Sequence, residues 1–182
     1  MSRLPEIDPD NLTEAQQRVY EKIAAGPRGG VRGPFAPLLL CPEVADGVQQ
    51  VGAWLRFEGS LSGDLRELAI LITARVWSAQ YEWYAHAPIA EKEGLDPTIM
   101  AAVAERREPD FNTEAEATVY AYCQELHGDH RVSDATYGQA VAEFGEAGVM
   151  ELTALCGHYT TVAMTLNVFG IEPPEGERPL PD

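Results

Sequence analysis

Polar residues nearly vanish from the chain between Leu65 and Trp77. The stretch from Leu65 to Gly94 reads LRELAILITARVWSAQYEWYAHAPIAEKEG. Leu65, Leu68, Ile70, Leu71, Ile72, Val76 and Trp77 leave almost no face for water, which predicts a buried helix over 63–77. A charge buried alone is costly, so Glu67 and Arg75 within that helix require partners. A second helix, over 78–93, is rich in aromatics (Tyr81, Trp83, Tyr84), and Gly94 suits its C-cap.

The flanking chain carries the same 3.6-residue signal. Residues 1–11 form an extended arm, since Pro5 and Pro9 disfavour helix. Thr13 opens a helix with Val19, Tyr20 and Ile23 on its apolar face, closed by Gly26-Pro27. GPRGGVRGPFAP, residues 26–37, reads as a connector loop long enough to cover a site or a subunit contact. A helix from Pro42 to about Glu58 presents Val44, Val48, Val51 and Leu55 at helical spacing, with Arg56 and Phe57 at its end. Ser62 is placed to cap the central helix. Beyond Gly94, helices are expected from Asp96-Pro97 to Glu105 and from Thr113 to His127, the latter with Ala117, Tyr120, Ala121 and Leu126 inward. Two more follow over 134–145 and 148–168. The last residues, 170–182, form a proline-rich tail without core residues. No segment alternates with period two, so the fold class is all-α.

Composition narrows the partners. Lys and Arg total 13 against 29 Asp and Glu, a net charge of −16 over 182 residues. Nucleic acid and anionic membrane both demand a basic footprint, so neither is expected. No apolar run reaches the roughly 18 residues of a membrane helix, and the polar N-terminus lacks the apolar core of a signal peptide. A cytoplasmic, single-domain protein follows as the expectation. Cys41, Cys123 and Cys156 form no CxxC and no zinc spacing, and read as buried, inert thiols.

Candidate chemistry gathers on the second central helix. Glu82 and His86 are four apart and share a face. A carboxylate beside an imidazole is a plausible acid/base pair, and equally a plain surface hydrogen bond. Tyr81, Trp83 and Tyr84 are candidates to shape a pocket, and Arg75 to steady an anion, against its plainer role as a paired buried arginine. His158 and Tyr159 on the last helix form a second candidate cluster, and Asn167 reads as a helix–helix hydrogen bond. Arg28 and Arg32 sit in the glycine-rich loop, but GxxxxGK[ST] is absent. A metal site built from Glu67, Glu82, His86 and His158 is the weaker alternative, because no HExxH is present.

RELAIL, the second helix with its histidine followed by Ala-rich sequence and Gly94-Leu95, LLLCPEV and GAWLRFEGSLSGDLRE before them, and the closing GHYTTVAMTLNVFGI together resemble the carboxymuconolactone decarboxylase family. That family includes the alkylhydroperoxidase D-like proteins. The resemblance implies an alkylhydroperoxidase D-like helical bundle, assembled as a homotrimer or a dimer of trimers (a homohexamer), with its pocket near a subunit interface. It also implies a lyase of the decarboxylase kind, acting on a small lactone acid without metal or organic cofactor.

The peroxidase branch carries a glutamate, eleven residues, CxxC, three residues and a histidine. Glu67 and His86 hold the outer positions here, while Ala79 and Glu82 stand where the cysteines would be. Alanine and glutamate supply neither an attacking nor a resolving sulfur, so thiol peroxidase chemistry at this site is not expected. Two readings remain. One is a cofactor-free acid/base enzyme using Glu82, His86 and Glu67 on a carboxylated or lactone-type metabolite, by decarboxylation, lactone isomerisation or hydrolysis, or elimination or hydration. The other is a small-ligand-binding or assembly protein that kept the fold.

Overall fold

Thr13 starts the first helix with a reciprocal box. Its side chain accepts from the Gln16 amide while the Gln16 side chain accepts from the Thr13 amide. The computed structural model describes all residues except Met1, Pro5, Glu6 and Arg28, so the expectations placed on Pro5 and Arg28 lie outside the described residues. In chain order the helices are α1 (Glu14–Ala25), α2 (Phe35–Leu38), α3 (Pro42–Phe57), α4 (Gly63–Val76), α5 (Gln80–Glu93), α6 (Pro97–Ala104), α7 (Glu114–Gly128) and α8 (Asp134–Phe169). Short 3-10 turns occupy Pro9–Asn11 and Pro174–Gly176, and the described residues contain no strand.

Helix α4 is the axis of the bundle. It packs against α5, α6, α7 and α8. Leu68, Ile70, Leu71 and Ile72 are at most 1% exposed. Each contributes roughly 1.5–3 kcal/mol of burial, before the entropy of ordering is subtracted. Leu95, Ile99, Val119, Leu152 and Leu155 close the same core from neighbouring elements. A smaller cluster of Val19, Ile23, Phe35, Leu38, Leu39 and Ala45 fastens α1 and α2 to α3.

Several elements differ from the sequence expectation. The two last helices run as one, α8, interrupted only at Gly145, whose φ of 69° and ψ of 171° break the helical geometry. Only glycine adopts that conformation cheaply, so the predicted boundary is a bend. Ser62 sits at the α4 N-cap but its side chain makes no capping hydrogen bond. On α7 the most buried apolar face is Val119, Tyr122 and Cys123, with Tyr120 and Leu126 on its flank. Along α3, Leu55 is buried but Val44 and Val51 are about half exposed, beside exposed Trp54 and Phe57. Cys41 is exposed, not buried.

The tail is not free of core residues. Leu180 is buried within the main core. The Gln80 side-chain amide donates to the Leu180 carbonyl and accepts from the Leu180 amide, both at 3.0 Å. The tail is thereby docked on the first turn of α5. At the other end, the Arg3 amide donates to Phe169 O and the Arg3 guanidinium to Val168 O.

One buried carboxylate fixes α8 to the α3–α4 turn. Glu151 accepts from the Ser60 amide at 2.8 Å, the Ser60 hydroxyl at 2.7 Å and the Leu61 amide at 3.1 Å. Gly59 lies against that carboxylate with no space for a Cβ.

Candidate active site

Three residues, Trp77–Ala79, separate α4 from α5. The two helices therefore pack side by side, and Glu67 of α4 meets His86 of α5. The His86 Nδ1 lies 2.6 Å from Glu67 Oε2. On the opposite edge of the ring, Nε2 lies 3.4 Å from Glu82 Oε1. Glu67, Glu82 and His86 are 1%, 3% and 6% exposed. An ionised carboxylate only accepts, so Nδ1 carries a proton and donates to Glu67. That leaves Nε2 as the ring nitrogen that faces Glu82.

His86 and Glu82 line a cavity of about 310 Å³. From α5, Tyr81, Glu82, Ala85 and His86 face it, a single helical face at positions i, i+1, i+4 and i+5. From α8 come His158, Tyr159 and Val162. The Tyr159 ring stands edge-on to both His86 and His158, each with centroids 5.1 Å apart. The glycine-rich loop and the start of α2 form one wall with Gly30, Arg32, Pro34 and Phe35, and the end of α3 supplies Arg56 and Phe57. Gly33, at φ 57°, brings the loop backbone against the Tyr81 ring, where a Cβ would collide. Burial pushes the Tyr81 phenol up, and nearby Arg32 pulls it partly back. The Arg56 guanidinium lies 5.1 Å from the Phe57 ring centroid.

Of the residues singled out in the sequence, Glu67, Glu82 and His86 form one chain of contacts. Tyr81, His158 and Tyr159 join Glu82 and His86 on the cavity wall. Four others are elsewhere. Trp83 belongs to the main core, and with Tyr84 it lines a separate groove beside Glu177 and Pro179. Arg75 lies near Arg106 and Arg107, and donates to the Ser78 hydroxyl. Burial and the neighbouring Arg106 charge both lower its pKa. Asn167 donates to the Trp77 carbonyl at 2.8 Å, a hydrogen bond from the end of α8 to the end of α4.

The sequence reading missed Arg56 as a site residue and gave Arg32 only a minor place. A lone arginine at a helix end has no local signature. Only the meeting of the α3 terminus with the loop discloses its role. Among the described residues no group of three or more His, Cys, Asp or Glu is placed to hold a metal ion. None of their helices is long and apolar enough to cross a membrane.

Residues 42–125 match the carboxymuconolactone decarboxylase family, spanning α3 to α7 and all three members of the Glu67–His86–Glu82 chain. The match covers just under half of the 182-residue chain and is a likeness to that family; no Cys-x-x-Cys occurs in the sequence. No curated protein matches it. Among solved structures it resembles an uncharacterised peroxidase-related protein with an alkylhydroperoxidase D core, from Ralstonia eutropha JMP134. That likeness has a TM-score of 0.76 at 17% identity, over 96% of this chain and 93% of that one. It also resembles a protein of unknown function from Agrobacterium tumefaciens, with a TM-score of 0.66 at 14% identity, over 79% of this chain and all of that one. These likenesses establish the alkylhydroperoxidase D-like fold.

Proposed function

We propose that this protein is a cofactor-free acid/base enzyme acting on a small carboxylated or lactone-type metabolite. The observation that carries the reading is the Glu67–His86–Glu82 chain, whose outer pair opens into a cavity that also presents Arg32 and Arg56. Glu82 and His86 are the catalytic pair. One of them removes a proton from the substrate carbon or a water, and the other returns it. Glu67 is a positioning residue. It fixes the imidazole by Nδ1, so Nε2 is the nitrogen turned toward Glu82.

Two guanidiniums on the cavity wall fit a substrate carboxylate, and each also steadies the enolate-like charge that decarboxylation, lactone opening or elimination develops. Tyr159 packs against His86 and restricts its rotation. The cavity is within the size range of a small-metabolite site. Ala79 in place of a thiol leaves the site without sulfur nucleophiles, in keeping with proton transfer in place of peroxide reduction.

Self-association belongs to the same reading. Val51, Trp54, Phe57 and Met150 are exposed apolar side chains on α3 and α8, and Phe57 also lines the cavity. Their burial in a trimer or a dimer of trimers would place the cavity next to a subunit contact.

The test is a substrate screen by mass spectrometry over carboxylated lactones, β-keto acids and unsaturated acids, run on wild type beside a Glu82→Gln, His86→Asn double variant. Conversion by wild type that the variant loses supports the enzyme. Ligands bound by both proteins and never converted would make the protein a binder and overturn the reading.

A further inference from the structure

The α7–α8 contact buries two sulfurs together. Cys123 Sγ and Cys156 Sγ lie 3.6 Å apart, with the two side chains 0% and 1% exposed. They are 33 residues apart in sequence and belong to no CxxC. Neither cysteine lines the cavity, and the function proposed above does not use them.

The surroundings are polar on one side only. The hydrogen bond with Cys156, and then burial, push the Cys123 thiol up. The Cys156 thiol is lowered, first by the hydrogen bond with Cys123, and then by His127 and Thr73, against burial, which opposes it. Thr73 donates its hydroxyl to the Ala69 carbonyl at 2.9 Å and lies 3.0 Å from His127 Nε2. His127, in the last turn of α7, is only half-buried, and it connects this cluster to the surface. A second thiol within reach and an imidazole close by are the elements of a thiol pair that oxidises in two steps.

We propose that Cys123 and Cys156 are a reversible oxidation site, which hydrogen peroxide converts to a disulfide joining α7 to α8. Cys156 is the attacking sulfur and gives its proton to His127. The thiolate attacks one peroxide oxygen, the O–O bond breaks, and the departing hydroxide takes up a proton to leave as water. Cys156 is then a sulfenic acid. The Cys123 thiol attacks that sulfur, the S–O bond breaks, and a second water leaves. Two thiols have lost two electrons to one peroxide. The sulfurs must close from 3.6 Å to the roughly 2.05 Å of a disulfide. A dithiol such as dithiothreitol returns both thiols. The staple would form two residues before His158, so its redox state would register beside the cavity.

The experiment uses Cys41→Ser protein, which removes the exposed thiol. Folded protein is treated with hydrogen peroxide, quenched by alkylation and mapped by peptide mass spectrometry. The expected result is loss of both thiols, a single linked peptide pair containing Cys123 and Cys156, and full recovery with dithiothreitol. Adding Cys123→Ser should stop the reaction at a sulfenic acid on Cys156 that dimedone traps. Adding Cys156→Ser should leave Cys123 unreactive, and His127→Asn should slow the oxidation by about tenfold. Circular dichroism confirms that each variant is folded. Two free thiols after peroxide in the folded protein, with oxidation only in urea, would overturn the proposal. So would irreversible oxidation of Cys156 with Cys123 still free.

Discussion

Glu67 holds His86 from behind, with Oε2 2.6 Å from Nδ1, and does not itself line the cavity. Its role is therefore separable from that of the residues that touch substrate. Glu67→Gln keeps the shape and removes the charge. The expected result is a fall in kcat of about tenfold to a hundredfold with KM nearly unchanged. The low-field imidazole proton resonance of His86 should also disappear from the NMR spectrum. A KM effect with normal kcat would place Glu67 in binding and contradict this assignment.

Arg56 and Arg32 face the same cavity from different elements, so each removal should act on binding of the anionic end of the substrate. Arg56→Met keeps the aliphatic bulk over Phe57 and deletes the charge. KM for a carboxylated substrate should rise by about tenfold or more, a cost of roughly 1.5–3 kcal/mol for a charged hydrogen bond. The methyl ester of the same substrate should be affected far less. Equal losses for acid and ester would mean that Arg56 acts through packing.

Most of the architecture was legible because the apolar period, the Thr13 cap and the glycine stops agree with one another along the chain. The site was only partly so. Glu82 and His86 declare themselves by i, i+4 spacing, and the place of Glu67 follows from the family resemblance. Trp83 and Tyr84 do not line this cavity, and the helical period already carried that information. The cavity takes positions 81, 82, 85 and 86 of α5, and at 3.6 residues per turn 83 and 84 point elsewhere. Arg56 was out of reach, because its position depends on how the end of α3 meets a loop more than twenty residues earlier. Cys123 and Cys156 were read separately as inert, since nothing local says that two helices will set their sulfurs side by side. Leu180 was hidden by the prolines around it, which mark a tail but say nothing of where it docks.

Glu151 carries structural weight without touching the cavity. Its three hydrogen bonds to Ser60 and Leu61 are the link between α8 and the α3–α4 turn. Glu151→Ala leaves two amides and a hydroxyl without their acceptor. The variant should lose about 2–3 kcal/mol in a urea denaturation series while its KM stays unchanged. A loss below about 0.5 kcal/mol would show that water replaces the carboxylate without cost.

Between α1 and α3, Lys22 Nζ lies 2.7 Å from Asp46 Oδ2. That hydrogen bond, helped by Gln50 and Gln49, lowers the Asp46 pKa from 3.8 to about 2. A carboxyl depressed on folding stabilises the fold above its unfolded pKa, and the stabilisation is lost as pH falls toward the folded one. The difference in melting temperature between wild type and Lys22→Met should be constant above about pH 5 and shrink as the pH falls through 3.8 toward 2. A difference that grows on acidification would contradict the direction of this shift. Lys22 is exposed and Asp46 partly so, and the effect should also shrink with added salt.

Glu82 is where proton transfer and geometry meet. The decisive measurement is the turnover of Glu82→Gln against wild type on a substrate identified by the screen, with melting temperatures recorded for both. The account predicts a kcat loss of roughly 10²- to 10⁴-fold with the fold intact, because the amide keeps the shape of the side chain and cannot take or give a proton. Full activity in Glu82→Gln would contradict it, and would remove the Glu82–His86 pair from the chemistry.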